Sequence, residues 1–509
     1  MGTILSGFSS ILSFQVLSSL GIGVLLGVFV GALPGLTATM AVALLIPVTF
    51  WLPSSAGLAM LLGVYNSAIW AGGISAVLIN IPGTPASIAS TFDGYKLVKK
   101  GFVGLAVWIN TFYSVLGGIF GAIMLVIAAF PIARFALKFG PTEYSALALF
   151  GLTMMISVSG KSVIKGLIAG FLGLAIITVG LDPTYAVPRF YFGSIYLLSG
   201  ISFLPIMIGL FGIGEILDQV ITPLIKVNVA EINDKEQKSF LNLKEIWETR
   251  IATLYTCIIS VFIGAIPAVG GDVAGIVSWD HCRRFSKKGK EYGEGSVEGL
   301  AVTCASNNAC IGGSMITMLS LGIPGSSTTA VLIGALMMYG YIPGPLLFRD
   351  HMDMVAVIVA LMFAAYLFIA IVGFFGTKIF PRLLKVSRPW INLAVFCFSL
   401  VGAYALNNSA LDVRVCLIAG IVGFIFRRTG FPLGPIIIAI ILGPIAEENI
   451  IRALILSRGN AMVFLTRPIS LILIIASLLS LFFAPILIKI MEGKEKQKIL
   501  QNEITINGE

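Results

Sequence analysis

Apolar runs separated by short polar or charged clusters dominate the chain. Stretches long enough to span a bilayer, at about 20 residues each, recur at 14–33, 57–80, 102–130, 145–158, 166–181, 251–268, 354–376, 391–406, 415–426 and 468–490. The pattern predicts an all-α polytopic membrane protein with about 10–12 membrane segments. Two of the apolar stretches are interrupted in the same way. Ile79-Asn80-Ile81-Pro82-Gly83-Thr84-Pro85-Ala86-Ser87 has a twin in Leu321-Gly322-Ile323-Pro324-Gly325-Ser326-Ser327-Thr328-Thr329. Each follows a Gly-Gly pair, Gly72-Gly73 or Gly312-Gly313, which itself follows Asn66-Ser67 or Ser306-Asn307-Asn308. Proline removes a backbone donor and glycine loosens the helix, so both segments predict discontinuous helices or re-entrant hairpins with free polar backbone. Within a bilayer such backbone persists only where protein buries it or where it lines a wet cavity.

The duplication extends further. Gly31-Ala32-Leu33-Pro34-Gly35-Leu36-Thr37 pairs with Gly264-Ala265-Ile266-Pro267-Ala268-Val269-Gly270; Phe130-Pro131 pairs with Phe380-Pro381; Leu167-Ile168-Ala169-Gly170 pairs with Leu417-Ile418-Ala419-Gly420. The expected organisation is an interfacial segment at 1–13, a first membrane repeat at 14–215, a charged linker at 216–249 and a second repeat at 250–460. A final transmembrane helix at 461–490 and a polar cytoplasmic tail at 491–509 complete it. Equivalent loops carry opposite basic bias: Trp51-Leu52-Pro53-Ser54-Ser55 is uncharged, whereas Arg283-Arg284-Phe285-Ser286-Lys287-Lys288 is strongly basic. By the positive-inside rule the halves are therefore expected to be inverted repeats. Parity is kept if 14–50 enters and returns, bending at Leu33-Pro34-Gly35, which places the N-terminus outside.

Composition agrees with the pattern. The chain has 509 residues, 57% hydrophobic and 11% charged, with a mean hydropathy of +1.00, too apolar for a fold whose surface is wetted. A net charge of +9 points to membrane topology rather than nucleic acid, because Lys and Arg cluster between apolar runs. The cysteines Cys257, Cys282, Cys304, Cys310, Cys397 and Cys416 lack C-x-x-C spacing, so neither a disulfide framework nor a zinc site is expected. The N-terminus lacks a basic n-region and an obvious cleavage site, so no removable signal peptide is expected.

Candidate chemistry gathers at the breaks. The free amides around Pro82, Gly83, Pro324 and Gly325, with the hydroxyls of Thr84, Ser326 and Ser327, are neutral donors able to grip a carboxylate; a kink that merely packs is the plain alternative. Asn66, Ser67, Asn307 and Asn308 lie in apolar helices, where each amide must find a partner: substrate, cation or another helix. Asp272 is the acid best placed at membrane depth, where buried acids commonly hold cations or protons; a helix cap is its bland reading. Gly35, Thr37 and Gly270, at the upstream breaks, complete the candidate cation site, with sodium as a possible metal. No catalytic residues and no cofactor are expected, the coupling ion being sodium or a proton. The competing classes are an intramembrane enzyme using Asp272 and a passive anion channel.

The paired motifs, together with Asp93-Gly94-Tyr95 and Glu298-Gly299-Leu300, closely resemble the large permease subunit of the tripartite tricarboxylate transporters, the TctA family. The resemblance covers nearly the whole chain. It implies a multi-pass secondary transporter of the bacterial inner membrane, working with a small membrane subunit and a periplasmic solute-binding protein that delivers an organic carboxylate, with cation-driven uptake. Ala268, where glycine is expected, and Lys96, where proline often stands, depart from the family pattern; Ala268 bears on how closely backbone approaches a ligand.

Overall fold

The structure is a computed structural model that describes residues 2–33, 36–154, 162–221, 239–267, 269–376 and 388–481. It is helical almost throughout. The first half comprises α1 (Gly2–Ser10), α2 (Phe14–Ala32), α3 (Ala38–Thr49), α4 (Ser54–Ile79), a 3-10 turn Pro85–Ser90 running into α5 (Thr91–Lys99), α6 (Val103–Ala136), α7 (Pro141–Thr153) and α8 (Val163–Ile177). A short antiparallel hairpin, β1 (Gly180–Leu181) with β2 (Pro188–Arg189), precedes α9 (Phe203–Ile208) and α10 (Gly214–Ile221), which are joined through a π turn at Gly209–Ile213. After the linker come α11 (Leu243–Ala265), α12 (Gly270–Phe285), α13 (Val297–Leu321), α14 (Ser327–Met338), α15 (Pro345–Asp350) and α16 (Met352–Gly376). Then come α17 (Arg388–Asn407), α18 (Ala410–Thr429) and α19 (Gly434–Leu456), followed by a short turn at Val463–Thr466 and an apolar helix over Pro468–Leu481.

Among the described residues, 7 helices are long and apolar enough to cross a membrane: α2, α4, α6, the continuous stretch Phe203–Ile221, α11, α16 and α19. The protein is a multi-pass membrane protein. Phe203–Ile221 and α19 are spans that the apolar runs did not single out, the first interrupted by Pro205 and Glu215 and the second by Pro444, Glu447 and Glu448. Helix α13 is the reverse case. It runs unbroken through Thr303, Ser306, Asn307, Asn308, Ser314, Thr317 and Ser320, all buried, so protein rather than lipid surrounds it and apolarity does not announce it.

The prolines end the helices where local sterics require. Helix α4 stops at Asn80, in the left-handed conformation (φ 57°), because Pro82 disfavours a helical Ile81 and supplies no donor. Helix α13 stops at Gly322 (φ 75°), before Ile323-Pro324. Upstream, α2 ends at Ala32 before Pro34 and α11 ends at Ala265 before Pro267.

Contacts divide the chain into two compact units, Met1–Lys138 with Ser202–Ile425, and Phe139–Ile201 with Phe426–Glu509. Each unit draws on both sequence halves. In the second, α19 packs against α7 and α8, and Arg189 forms ion pairs with Glu447 and, at 3.2 Å, with Asp182. The Asp182 carboxylate also accepts the N–H groups of Thr184 and Tyr185, which hold its pKa below the usual carboxylate range.

In the first unit the same packing occurs twice. Gly23, Gly27 and Gly31 form a small-residue stripe on α2 that lies on the α4 backbone at Met60, Val64 and Ala68. A β-carbon at Gly31 would strike the carbonyl of Ala68, and one at Gly264 the carbonyl of Cys310. The Ile-Pro-Gly glycines then close on these same helix ends: Gly83 against Gly31 and Gly72, Gly325 against Gly264 and Ser314. One spacing, 242 residues, relates Ala68 to Cys310, Gly72 to Ser314, Asn80 to Gly322 and Gly83 to Gly325. The two halves thus share a local backbone arrangement as well as a motif.

Gly83→Ala and Gly325→Ala are therefore expected to destabilise the protein by about 1–3 kcal/mol each, the usual cost of overpacking. Gly21→Ala, which would meet only the edge of Phe368 at 3.2 Å, should cost less. Thermal unfolding of the three purified variants in detergent checks the ranking.

Candidate functional site

Each of the four breaks is followed by a helix, and the four helix starts converge. Thr37 caps α3, its Oγ1 accepting the N–H of Met40 at 3.1 Å. Ser326 caps α14 through a capping box: its N–H donates to Thr329 Oγ1 at 2.8 Å and its Oγ accepts the N–H of Thr329 at 3.2 Å. Thr84 precedes the turn that leads into α5, its N–H donating to Ser87 Oγ at 3.3 Å. Gly270 (φ +61°) opens α12.

Contacts between these starts close a ring. The hydroxyls of Thr39 and Thr328 share a hydrogen bond of 2.8 Å, joining α3 to α14. The Gly270 N–H donates to the Gly325 carbonyl at 3.1 Å, joining α12 to the segment before α14. A β-carbon at Gly271 would lie 3.1 Å from that of Ala86, so α12 lies against the turn before α5, and Gly83, ahead of that turn, lies on Gly31 at the end of α2, which leads into α3. The cross-contacts are reciprocal: the helix after the upstream break of each half meets the helix after the Ile-Pro-Gly break of the other. Three α-helix starts, those of α3, α12 and α14, each partly positive, thus share one region with the 3-10 turn that leads into α5.

Asp272 lies in the first turn of α12 and is exposed, as are Val273 and Ile276 on the same helix and Pro85 and Ile88 on the facing turn. Ser326, Ser327, Thr37 and Pro82 are half-buried. Tyr65 reaches the same place from α4, its hydroxyl 3.3 Å from Ser326 Oγ. Thr84 is 2% exposed and its Oγ1 has no hydrogen-bond partner. The Asn307 Oδ1 is likewise unpartnered and faces α12 at Gly275. Thr84, Ser326, Ser327, Gly270, Asp272 and Thr37 therefore come together. Asn66, Ser67 and Asn308 are fully enclosed, each 0% exposed, on the packed bodies of α4 and α13; Gly83, Pro324 and Gly325 are buried in the breaks themselves. Gly35 and Ala268 lie outside the described residues.

Sequence patterns did not assign Asp93 a role. Its carboxylate is 1% exposed and accepts the N–H groups of Gly293 (2.8 Å), Gly295 (3.0 Å) and Ser296 (2.7 Å) on one oxygen and Trp279 Nε1 (2.7 Å) on the other. A first-half acid thus organises the second-half loop that starts α13, at the positive end of that helix. Beside it, Glu298 accepts from Ser286 Oγ and from the Tyr292 hydroxyl at 2.9 Å. Burial and the neighbouring Glu298 carboxylate push the Tyr292 pKa well above its ordinary value, so the phenol remains a donor. The sequence signal was an aspartate directly before glycine in an otherwise basic loop; only the distant loop that it binds reveals the use.

A profile of the Tripartite tricarboxylate transporter TctA family matches residues 17–438, which hold all four breaks and the ring of helix starts. The chain belongs to the TctA family. An uncharacterised 52.8 kDa protein of the TAR-I ttuC' 3' region of Agrobacterium vitis is 35% identical over 491 residues, covering 95% of each chain. An uncharacterised protein of the TAR-II ttuC' 3' region of the same organism is 33% identical over 219 residues, 43% of this chain and 88% of its own. No solved structure matches. As a TctA-family protein the chain is the membrane component of a transporter that has other subunits, and both breaks of each half fall within the family match.

Asp93→Ala should cost about 3–5 kcal/mol, because it leaves several buried donors without their charged acceptor. Asp93→Asn keeps the volume but loses the charge and should fall between. Unfolding temperature and proteolysis of the Arg283–Ser296 loop measure both effects.

Proposed function

We propose that this chain is the large permease subunit of a binding-protein-dependent secondary transporter that takes up di- or tricarboxylates with a cation. The observation that carries this reading is the convergence of four helix starts. An anion at such a place is held by backbone dipoles and hydroxyl donors without a fixed countercharge, so it is gripped and later released. Thr84, Ser326 and Ser327 supply side-chain donors at the two Ile-Pro-Gly elements. Asp272, exposed in the first turn of α12 two residues after Gly270, holds a co-transported cation that offsets the charge of the cargo, and Thr37 at the start of α3 is a further candidate ligand.

In this reading the halves are inverted repeats, an arrangement supported by the opposite basic bias of their loops and by the reciprocal contacts of α3 with α14 and of α12 with the turn before α5. Alternating access follows when one set of broken elements moves against the rest. The working assembly includes a small membrane subunit and a periplasmic solute-binding protein in a bacterial inner membrane. The binding protein selects the acid and the permease moves it.

Reconstitution of the complete complex in vesicles tests this. Labelled carboxylate should accumulate against its gradient when an inward cation gradient is imposed. Ser326→Ala and Thr84→Ala should each lower kcat/KM about 10- to 100-fold, the loss expected for one hydrogen bond to a charged group. Asp272→Asn should uncouple uptake from the cation. Flux only down the carboxylate gradient would instead identify a channel, and Asp272-dependent hydrolysis without flux an enzyme.

A further inference from the structure

Asn66 and Asn308 stand at the repeat spacing that relates Asn80 to Gly322 and Gly83 to Gly325. Each lies deep in a long helix and is 0% exposed. Both are underused. The Asn66 Nδ2 donates to the Leu62 carbonyl at 2.7 Å and to Met362 Sδ at 3.5 Å, while its Oδ1 has no partner; both polar atoms of the Asn308 side chain have none. Rotating the amides does not remove the deficit. A flipped Asn66 would set its oxygen against the Leu62 oxygen, and Asn308 is orphaned at both ends. Leaving an amide oxygen dry is unfavourable in a protein interior and more so within a membrane.

The two side chains belong to one locality. Met362, which meets Asn66, and Tyr366, whose hydroxyl donates to the Asn308 backbone carbonyl at 3.4 Å, are one turn apart on the same face of α16. Helices α4 and α13 also touch each other directly. Helix α16 therefore brackets the place where α4 and α13 bring their asparagines.

We infer that Asn66 and Asn308 form an internal site for a desolvated monovalent cation of sodium size, separate from the Asp272 position. Two of the three vacant atoms, Asn66 Oδ1 and Asn308 Oδ1, are oxygen acceptors, which suit a hard cation. An anion would find one free donor there, Asn308 Nδ2, and the Tyr366 hydroxyl is already committed. Neutral carbonyl-type oxygens can replace part of a hydration shell without the charge that would trap the ion. The site joins the two long helices whose far ends form the Ile-Pro-Gly breaks, so occupancy couples directly to the geometry of the carboxylate region. Its use in coupling rests on the transport reading, but cation binding does not.

The test uses the purified full-length chain without carboxylate, at constant ionic strength, with sodium exchanged for choline. Sodium should raise the unfolding temperature saturably. In Asn66→Leu and Asn308→Leu, near-isosteric changes that remove the oxygens, the sodium concentration for half-maximal effect should rise at least tenfold. Asn308→Asp should retain the effect and make it pH-dependent. Asp272→Asn should leave in place the part of the sodium response that the leucine variants remove, while altering transport. Identical unfolding in sodium and choline, as when buried water fills the place, overturns the proposal, as does an undiminished sodium response in both leucine variants. Should both leucine variants fail to fold, loss of the saturable sodium response in Asn308→Asp at every pH overturns it equally. A carboxylate-transport failure with sodium binding intact refutes the transport reading and leaves the site standing.

Discussion

A membrane interior allows no unpaired backbone, and four proline breaks in one chain create several stretches of it. The structure meets this constraint by pressing each break onto another helix end. Gly83 lies on Gly31 and Gly325 on Gly264 at distances that only glycine permits. The cost of losing helix hydrogen bonds is offset by close backbone packing, and the helices that resume beyond the breaks all begin in the same region. Helix starts collect there because each half brings two broken elements together and each element restarts next to one from the other half.

Two kinds of polar chemistry result, and they are kept apart. Around the helix starts, Ser326, Ser327, Thr37 and Asp272 are at least partly open, and the donors are backbone amides and hydroxyls. Deep inside α4 and α13, Asn66 and Asn308 bury carboxamides beside Met362 and Tyr366 of α16. The first set matches the chemistry of a carboxylate; the second, rich in acceptors, does not. Asp93 adds a third polar centre, remote in role from both, whose work is to hold the loop before α13 in one shape.

Much of this was legible in the residues. Pro82 and Pro324 foretold where α4 and α13 end, and the Gly-Ala-x-Pro segments foretold the ends of α2 and α11, but the paired Gly-Gly motifs, 240 residues apart, are two residues out of step with the spacing of 242 at which the glycine contacts match. The polarity of α13 concealed its course, because hydropathy reports contact with lipid and α13 has almost none. Phe203–Ile221 and α19 were hidden by prolines and acids inside otherwise apolar stretches. The two compact units each combine segments from before and after the 216–249 linker, a pairing that no local pattern announces. Asp93 was visible as a motif residue, but its partners lie about two hundred positions away, and no local pattern connects them.

Helix α4 also says something about how the chain is made. From residue 56 to residue 79 only Ile69 is other than buried, yet the helix is apolar enough, at a mean hydropathy of 1.5, to enter a bilayer unaided. In chain order it follows α2, on which it packs, and precedes α6, α13 and α16, which complete its burial in the finished fold. Its composition therefore answers to two successive solvents, first lipid and then protein. That double requirement accounts for a helix greasy enough to insert whose glycines, serines and asparagine are of use only once its neighbours arrive.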